Sequence, residues 1–187
     1  NYLYGPEISH VLGYVAPVAE DDEDKDPLLK LPGFRIGRAG VEKVHDLSLR
    51  GTGGSSQVEV NAYGRMIREL SRREGQPGAE VMLTIDVGLQ EYIAKRLGEE
   101  SASVVVMDVR NGDILSMVSN PSFDSNDFNR GLSNDLWKSL VNDERAPLIN
   151  KSIAGMYSPG STFKMVVLLA ALEKGVINAD HKIHCNG

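Results

Sequence analysis

Cysteine is nearly missing from this chain: Cys185 is the one cysteine among 187 residues. A disulfide within the chain is therefore excluded, and cysteine usage leaves the redox compartment open. Basic residues are also short, 20 Lys and Arg against 26 Asp and Glu, for a formal charge of -6. Nucleic-acid binding wants a basic face for phosphate, so no nucleic-acid partner is expected. No apolar run reaches the roughly 18–20 residues that span a bilayer. The opening residues do not form a signal peptide either. The chain starts at Asn1 without Met and in mid-pattern. Both ends read as cut, with any anchor expected upstream of Asn1.

What remains is ordinary for a globular protein. Hydrophobic residues make up 41% and charged residues 25%, enough for one medium domain or two small ones with a true core. Much of the acidic excess sits in Glu20–Asp26 (EDDEDKD), which reads as a solvated loop. No internal repeat is present.

Two regions differ in texture. In residues 1–78, His10–Val15 and Phe34–Ile36 read as short strands. Val41, Val44 and Leu47 recur at helical spacing, which predicts one amphipathic helix over Gly40–Leu47. Arg50–Ser56 reads as a loop. Val58, Val60 and Ala62 alternate with polar neighbours as a strand does, and Met66–Leu70 reads as a second strand. Glu74–Gly78 (EGQPG) reads as the linker.

In residues 79–187, Val81–Ile85 reads as a strand. Asp86 is placed to cap a helix over Val87–Leu97 that Gly98 ends. Ser103–Val109 and Asp113–Val118 read as strands joined through Asn111-Gly112, a strong hairpin signal. Asn120–Asn134 reads as polar loop, and Leu136–Leu140 as a helix around Trp137. The last element is a helix over Ser161–Lys174, opened by Pro159-Gly160 and stopped by Gly175. Met165–Leu172 is almost wholly apolar, which predicts a buried helix with a conspicuous polar first turn.

That first turn pairs Ser161 with Lys164. Residues i and i+3 share a helix face, with Cβ atoms roughly 5–6 Å apart. A serine hydroxyl becomes a useful nucleophile only when a base takes its proton. A lysine serves as that base once its pKa falls from about 10.4 toward 7. The helix N-terminus adds positive potential, and the Ser161 N–H is available as an oxyanion donor. The chemistry indicated is acyl transfer through a serine ester. A bare S-x-x-K pattern arises on the order of once by chance in a chain of this length. On spacing alone the plainer reading wins: Ser161 is a helix-start residue and Lys164 a solvated lysine. The apolar helix favours the functional alternative, because a buried lysine without a role costs several kcal/mol.

Near the end, His181-Lys182-Ile183-His184-Cys185 gathers two histidines and the cysteine. His181, His184 and Cys185 are candidate metal ligands, but their spacing matches no closed zinc set. No metal or cofactor is expected.

The residues around Ser161 are not generic. Tyr157-Ser158-Pro159-Gly160-Ser161-Thr162-Phe163-Lys164 resembles the active-site segment of penicillin-binding proteins, whose motifs include S-x-x-K. Leu83-Thr84-Ile85-Asp86 with Leu89-Gln90 resembles the LTID..LQ opening of their transpeptidase domain. Val105–Ser119, Pro121 and Phe123-Asp124 resemble its first two strands and the loop after them. Pro147–Gly155 resembles the PL.NRA..G run before the serine. His10–Tyr14, Gly40-Val41-Glu42-Lys43, Leu49-Arg50-Gly51 and Glu59–Arg65 resemble the pedestal of the family's elongation-type class B members, its penicillin-binding protein 2 branch. These matches cover nearly the whole chain in the family's order.

The resemblance implies an α+β fold: a pedestal of the dimerisation type over 1–78, then the N-terminal part of an α/β transpeptidase domain over 79–187, its sheet packed on the buried Ser161 helix. It implies a peptidoglycan D,D-transpeptidase of cell elongation. Ser161 is the nucleophile toward D-Ala-D-Ala stem peptides, Lys164 the general base, and β-lactams trap Ser161. It implies membrane-embedded elongation partners that bind the pedestal. The place implied is the periplasmic face of the bacterial inner membrane, through an N-terminal helix not present in this chain. Glu42, Arg50, Asn61 and Arg65 are expected to hold the pedestal together. Two family motifs expected downstream, S-x-N and K-T-G, do not follow Lys164. The chain therefore reads as a fragment, catalytically incompetent and marginally stable alone. A serine β-lactamase or β-lactam sensor shares Ser-x-x-Lys but lacks the pedestal segments. A third reading makes this chain a binding module that docks on the elongation machinery.

Overall fold

The computed structural model describes residues 1–19, 22, 27–182 and 184. The chain divides into two compact units, Asn1–Ala154 and Gly155–Gly187.

The first unit opens with a 3₁₀ turn, Gly5–Glu7, and a helical turn α1, Ser9–Leu12. The strand expected over His10–Val15 is thus corrected. The Ser9 hydroxyl donates to the Gly5 carbonyl at 3.0 Å and so favours the helical turn. Gly13 ends it at φ +79°, where a Cβ would stand 1.8 Å from the Ala39 carbonyl oxygen. Strand β1, Val15–Pro17, then pairs antiparallel with β2, Arg35–Gly37. Of the acidic run between them, Asp22 is described and holds Arg38 at 2.7 Å. The rest lies outside the described residues.

The helix expected over Gly40–Leu47 is two short ones, α2 at Gly40–Val44 and α3 at Asp46–Arg50, broken at His45. Val44 and Leu47 are exposed at 78% and 72%, so their spacing does not mark a buried stripe. Polar contacts set α3 instead: Asp46 accepts the Gly37 N–H at 2.8 Å and pairs with Arg50. Strands β3, Ser55–Val60, and β4, Met66–Arg73, form an exposed antiparallel ribbon, close to the expected strands. The Asn61 carboxamide closes it by accepting the N–H groups of Tyr63 and Arg65. Residues 74–78 carry neither helix nor strand, and Gln76 bridges back to Thr52.

The strand expected at Val81–Ile85 is absent as a ladder member. The segment instead touches the following hairpin at two points: the Thr84 hydroxyl donates to Ile114 O at 2.8 Å and the Asp86 N–H to Leu115 O at 2.8 Å. Helix α4 runs over Val87–Leu97 as expected. The Asp86 carboxylate accepts the Leu89 N–H at 2.9 Å, and Gly98 closes the helix at φ +54°. Strands β5, Ala102–Met107, and β6, Ile114–Asn120, form the expected hairpin. Gly112 takes φ +84° in its turn, where the Asn111 side chain accepts the Asp113 N–H.

The segment expected as polar loop contains a helix, α5, Ser125–Arg130, capped by the Asp124 carboxylate on the Asn126 N–H. Helix α6, Asn134–Asn142, is capped by Ser133. A single turn, α7, Lys151–Ala154, ends the unit. Its core gathers Ile8, Val118 and Phe123. Around Phe123, the His10 ring stands edge-on at 5.0 Å and Phe128 at 5.1 Å, and Tyr14 stacks on Phe128 at 4.1 Å.

The second unit holds a 3₁₀ turn, Gly160–Thr162, that runs into α8, Phe163–Glu173. The expectation of a buried helix is not met in this chain: Met165 and Leu169 are 64% and 66% exposed. Among the described residues, α8 is the unit's one element longer than a turn. The unit has, among the described residues, no second element to cover its apolar surface. No helix among the described residues is long and apolar enough to cross a membrane.

Candidate active site

Ser161 lies in the middle of the 3₁₀ turn, and Lys164 in the first turn of α8. Gly160 starts the turn at φ +53°, a conformation glycine adopts without strain. The Thr162 N–H donates to Pro159 O at 3.2 Å, and its hydroxyl bonds the same carbonyl. The Phe163 N–H reaches the carbonyls of Gly160 and Ser161 and joins the turn to the helix. Residues three apart eclipse in a 3₁₀ turn, so the backbone sets Ser161 and Lys164 along one side of the helix start. Both side chains are exposed. Among the described residues, neither has a hydrogen-bond or ionic partner. This arrangement offers a hydroxyl and an amine at one helix terminus, two parts of a serine acyl-transfer site.

Residues 149–152 are fastened by hydrogen bonds within the first unit. Residues 149–152 meet β6 and α1 through side chains. The buried Ser119 hydroxyl donates to Ile149 O and accepts the Lys151 N–H, both at 3.0 Å. The Ser152 hydroxyl donates to Val118 O at 3.1 Å, and Asn150 donates to His10 O at 3.2 Å. The Lys151 ammonium is buried and donates to Ala146 O at 3.1 Å. Burial holds it below the usual lysine range, while Asp143 acts the other way.

The pedestal residues singled out from the sequence make bonds inside the first region. Glu42 accepts the Tyr2 hydroxyl at 3.2 Å. Burial, reinforced by this carboxylate, pushes the Tyr2 phenol up. Arg50 pairs with Asp46, its guanidinium 5.6 Å above the Phe34 ring. Asn61 closes the β3–β4 turn. Arg65 takes part through its backbone N–H.

His181 and His184 are exposed, and Cys185 lies outside the described residues. Among the described residues, no three His, Cys, Asp or Glu side chains gather as a metal site.

Sequence reasoning missed the polar joint around Gln90. This side chain is 1% exposed. Its carboxamide donates to Glu7 O and Met117 O, both at 2.8 Å, and accepts from the Ser116 hydroxyl at 2.7 Å and the Met117 N–H at 2.9 Å. Ser125 adds two bonds to the N-terminal segment, from its N–H to Ser9 Oγ and from its hydroxyl to Gly13 O. A signal was present: Gln90 shares a helical stripe with Ile93, Ala94 and Leu97, and a polar residue on an apolar stripe needs partners.

Residues 1–83 match the Penicillin-binding Protein dimerisation domain, and residues 102–187 match the Penicillin binding protein transpeptidase domain. Peptidoglycan D,D-transpeptidase MrdA of Escherichia coli (strain K12) is 40% identical over 183 residues, which cover 94% of this chain and 29% of that protein. Among solved structures, the complex between penicillin-binding protein PBP2 and MreC from Helicobacter pylori matches with a TM-score of 0.85 and 32% identity, over 98% of this chain and 34% of that one. Pseudomonas aeruginosa PBP2 in complex with WCK 5153 matches with a TM-score of 0.77 and 29% identity, over 98% of this chain and 36% of that one. The chain spans less than a third of the length of the curated relatives it matches.

Proposed function

Because this chain belongs to the penicillin-binding protein family, we propose that it supplies the nucleophile and base of a peptidoglycan D,D-transpeptidase. The observation that carries this reading is the placement of Ser161 and Lys164 at one helix start, in the segment that matches the transpeptidase domain. Ser161 Oγ attacks the carbonyl between the two D-Ala residues of a stem peptide while Lys164 takes its proton. The Ser161–acyl ester forms, and the terminal D-Ala leaves with a proton returned from Lys164. The amine of a neighbouring stem then attacks the ester, and Ser161 is regenerated. β-Lactams present a comparable carbonyl to the same oxygen.

The activity belongs, in this reading, to a chain of the relatives' length, of which this chain spans less than a third. The place of action is the periplasmic face of the bacterial inner membrane. Release of D-Ala from a D-Ala-D-Ala donor tests the reading. The extended chain is expected to release it, and Ser161→Ala to abolish release. Undiminished release by Ser161→Ala removes the assignment.

A second role rests on the Helicobacter pylori relative, whose structure is a complex with MreC. The pedestal region is proposed to bind an elongation protein of that kind. Retention of purified MreC by this chain is expected, and failure to retain it removes the role.

A further inference from the structure

We infer that Thr162 is a positioning residue for acyl transfer: its hydroxyl, bonded to the Pro159 carbonyl, holds the step from Ser161 to Lys164 in 3₁₀ form. The inference rests on the transpeptidase reading and adds to it a residue that lies between the nucleophile and the base.

Two observations carry it, both within the second unit. First, Pro159 O takes two bonds from one residue, the Thr162 N–H at 3.2 Å and the Thr162 hydroxyl. In a regular α-helix that carbonyl would accept the N–H four residues on, from Phe163. Here the Phe163 N–H goes to the carbonyls of Gly160 and Ser161. A threonine hydroxyl on a carbonyl three residues back competes with the α-helical pattern in this way. Second, the two residues between Ser161 and Lys164 carry 3₁₀ dihedrals. Thr162 has ψ -29° and Phe163 ψ -18°, against about -42° in an α-helix. Residues three apart are eclipsed in a 3₁₀ turn and stand about 60° apart around an α-helix. Without the hydroxyl, Pro159 O is open to the Phe163 N–H, and the α form turns Lys164 away from Ser161. A rotation of about 60° carries an atom about 5 Å from the helix axis through about 5 Å.

A misplacement of about 1 Å at a reacting group lowers a rate about a hundredfold. The lysine stem is flexible and the Thr162 bond is open to water, so the loss expected here is smaller, about tenfold. The test uses Thr162→Val, which keeps the branched shape and removes the hydroxyl, and Thr162→Ser, which keeps the hydroxyl. In the chain extended to the relatives' length, benzylpenicillin acylation of Ser161 is resolved into a reversible constant and a first-order acylation constant. Thr162→Val is expected to lower the acylation constant about tenfold and to leave the reversible constant within about twofold, while Thr162→Ser restores the acylation constant. An acylation constant within about twofold of the parent overturns the inference. So does a loss confined to the reversible constant, or a Thr162→Ser variant as slow as Thr162→Val.

A second readout keeps the two proposals apart. In the 187-residue chain, proton NMR distinguishes the two forms of the turn. The 3₁₀ form brings the Ser161 α-proton near the Phe163 amide proton, and the α form brings the Pro159 α-proton near it. The parent is expected to show the first contact and Thr162→Val the second. If the extended parent is not acylated at Ser161, the transpeptidase reading falls and these contacts alone decide whether the hydroxyl holds the turn. The same contacts in the parent and in Thr162→Val overturn it.

Discussion

The carboxamide oxygen of Gln90 accepts the Ser116 hydroxyl at 2.7 Å in a site closed to solvent, and the amide nitrogen of the same side chain holds Glu7 O. One residue thereby ties α4, β6 and the N-terminal segment together. Gln90→Leu keeps the volume and removes every bond. It strands the Ser116 hydroxyl and the Glu7 carbonyl, and is expected to destabilise the chain by about 2–4 kcal/mol. Urea denaturation of both proteins checks this, and a loss below about 1 kcal/mol contradicts it.

Phe123 is the centre of the aromatic cluster, with His10, Tyr14 and Phe128 around it and 7% of its surface exposed. Phe123→Ala opens a cavity among rings that cannot all close on it. The expected loss is about 3–5 kcal/mol, read from the shift of the denaturation midpoint at constant slope.

Stability depends on pH through His10. Burial pushes its imidazole from 6.5 down to about 4, and the nearby Lys151 ammonium acts in the same sense. Between about 4 and 6.5 the unfolded chain holds a proton on this side chain that the folded chain does not. Stability therefore rises with pH across that window and is fully present above it. Denaturation at pH 5 and at pH 6.5 should differ by about 1–2 kcal/mol from this group. His10→Phe should remove that part of the slope, and an unchanged slope contradicts the assignment.

Much of the fold was legible where local chemistry decides it. Asp86 and Gly98 bound α4 at both ends, because a carboxylate cap and a positive-φ glycine act within a few residues. The β5–β6 hairpin followed from Asn111-Gly112 in the same way. The misses lie where distant residues decide. Ser9 and Ser125 are joined across the sequence, and that bond helps settle α1 and α5, which had read as strand and loop. Val44 and Leu47 showed helical spacing but face solvent, since polar anchors at Asp46 set the helix. In the candidate site, the motif located Ser161 and Lys164. Spacing alone did not, and no local signal revealed the bonds that Ser119 and Ser152 make within the first unit.

The Asp86 cap can be tested separately from the joint. Asp86→Ala removes the acceptor for the Leu89 N–H and is expected to destabilise by about 1 kcal/mol. Asp86→Asn should recover most of it. Equal losses in both variants contradict a capping role.

The central claim is that Ser161 is the nucleophile of a penicillin-binding transpeptidase. Intact mass after incubation with benzylpenicillin tests it most directly, on the chain extended to the relatives' length and on its Ser161→Ala variant. The account predicts one penicilloyl adduct on the parent and none on the variant. An unmodified parent, or an adduct that survives Ser161→Ala, contradicts it.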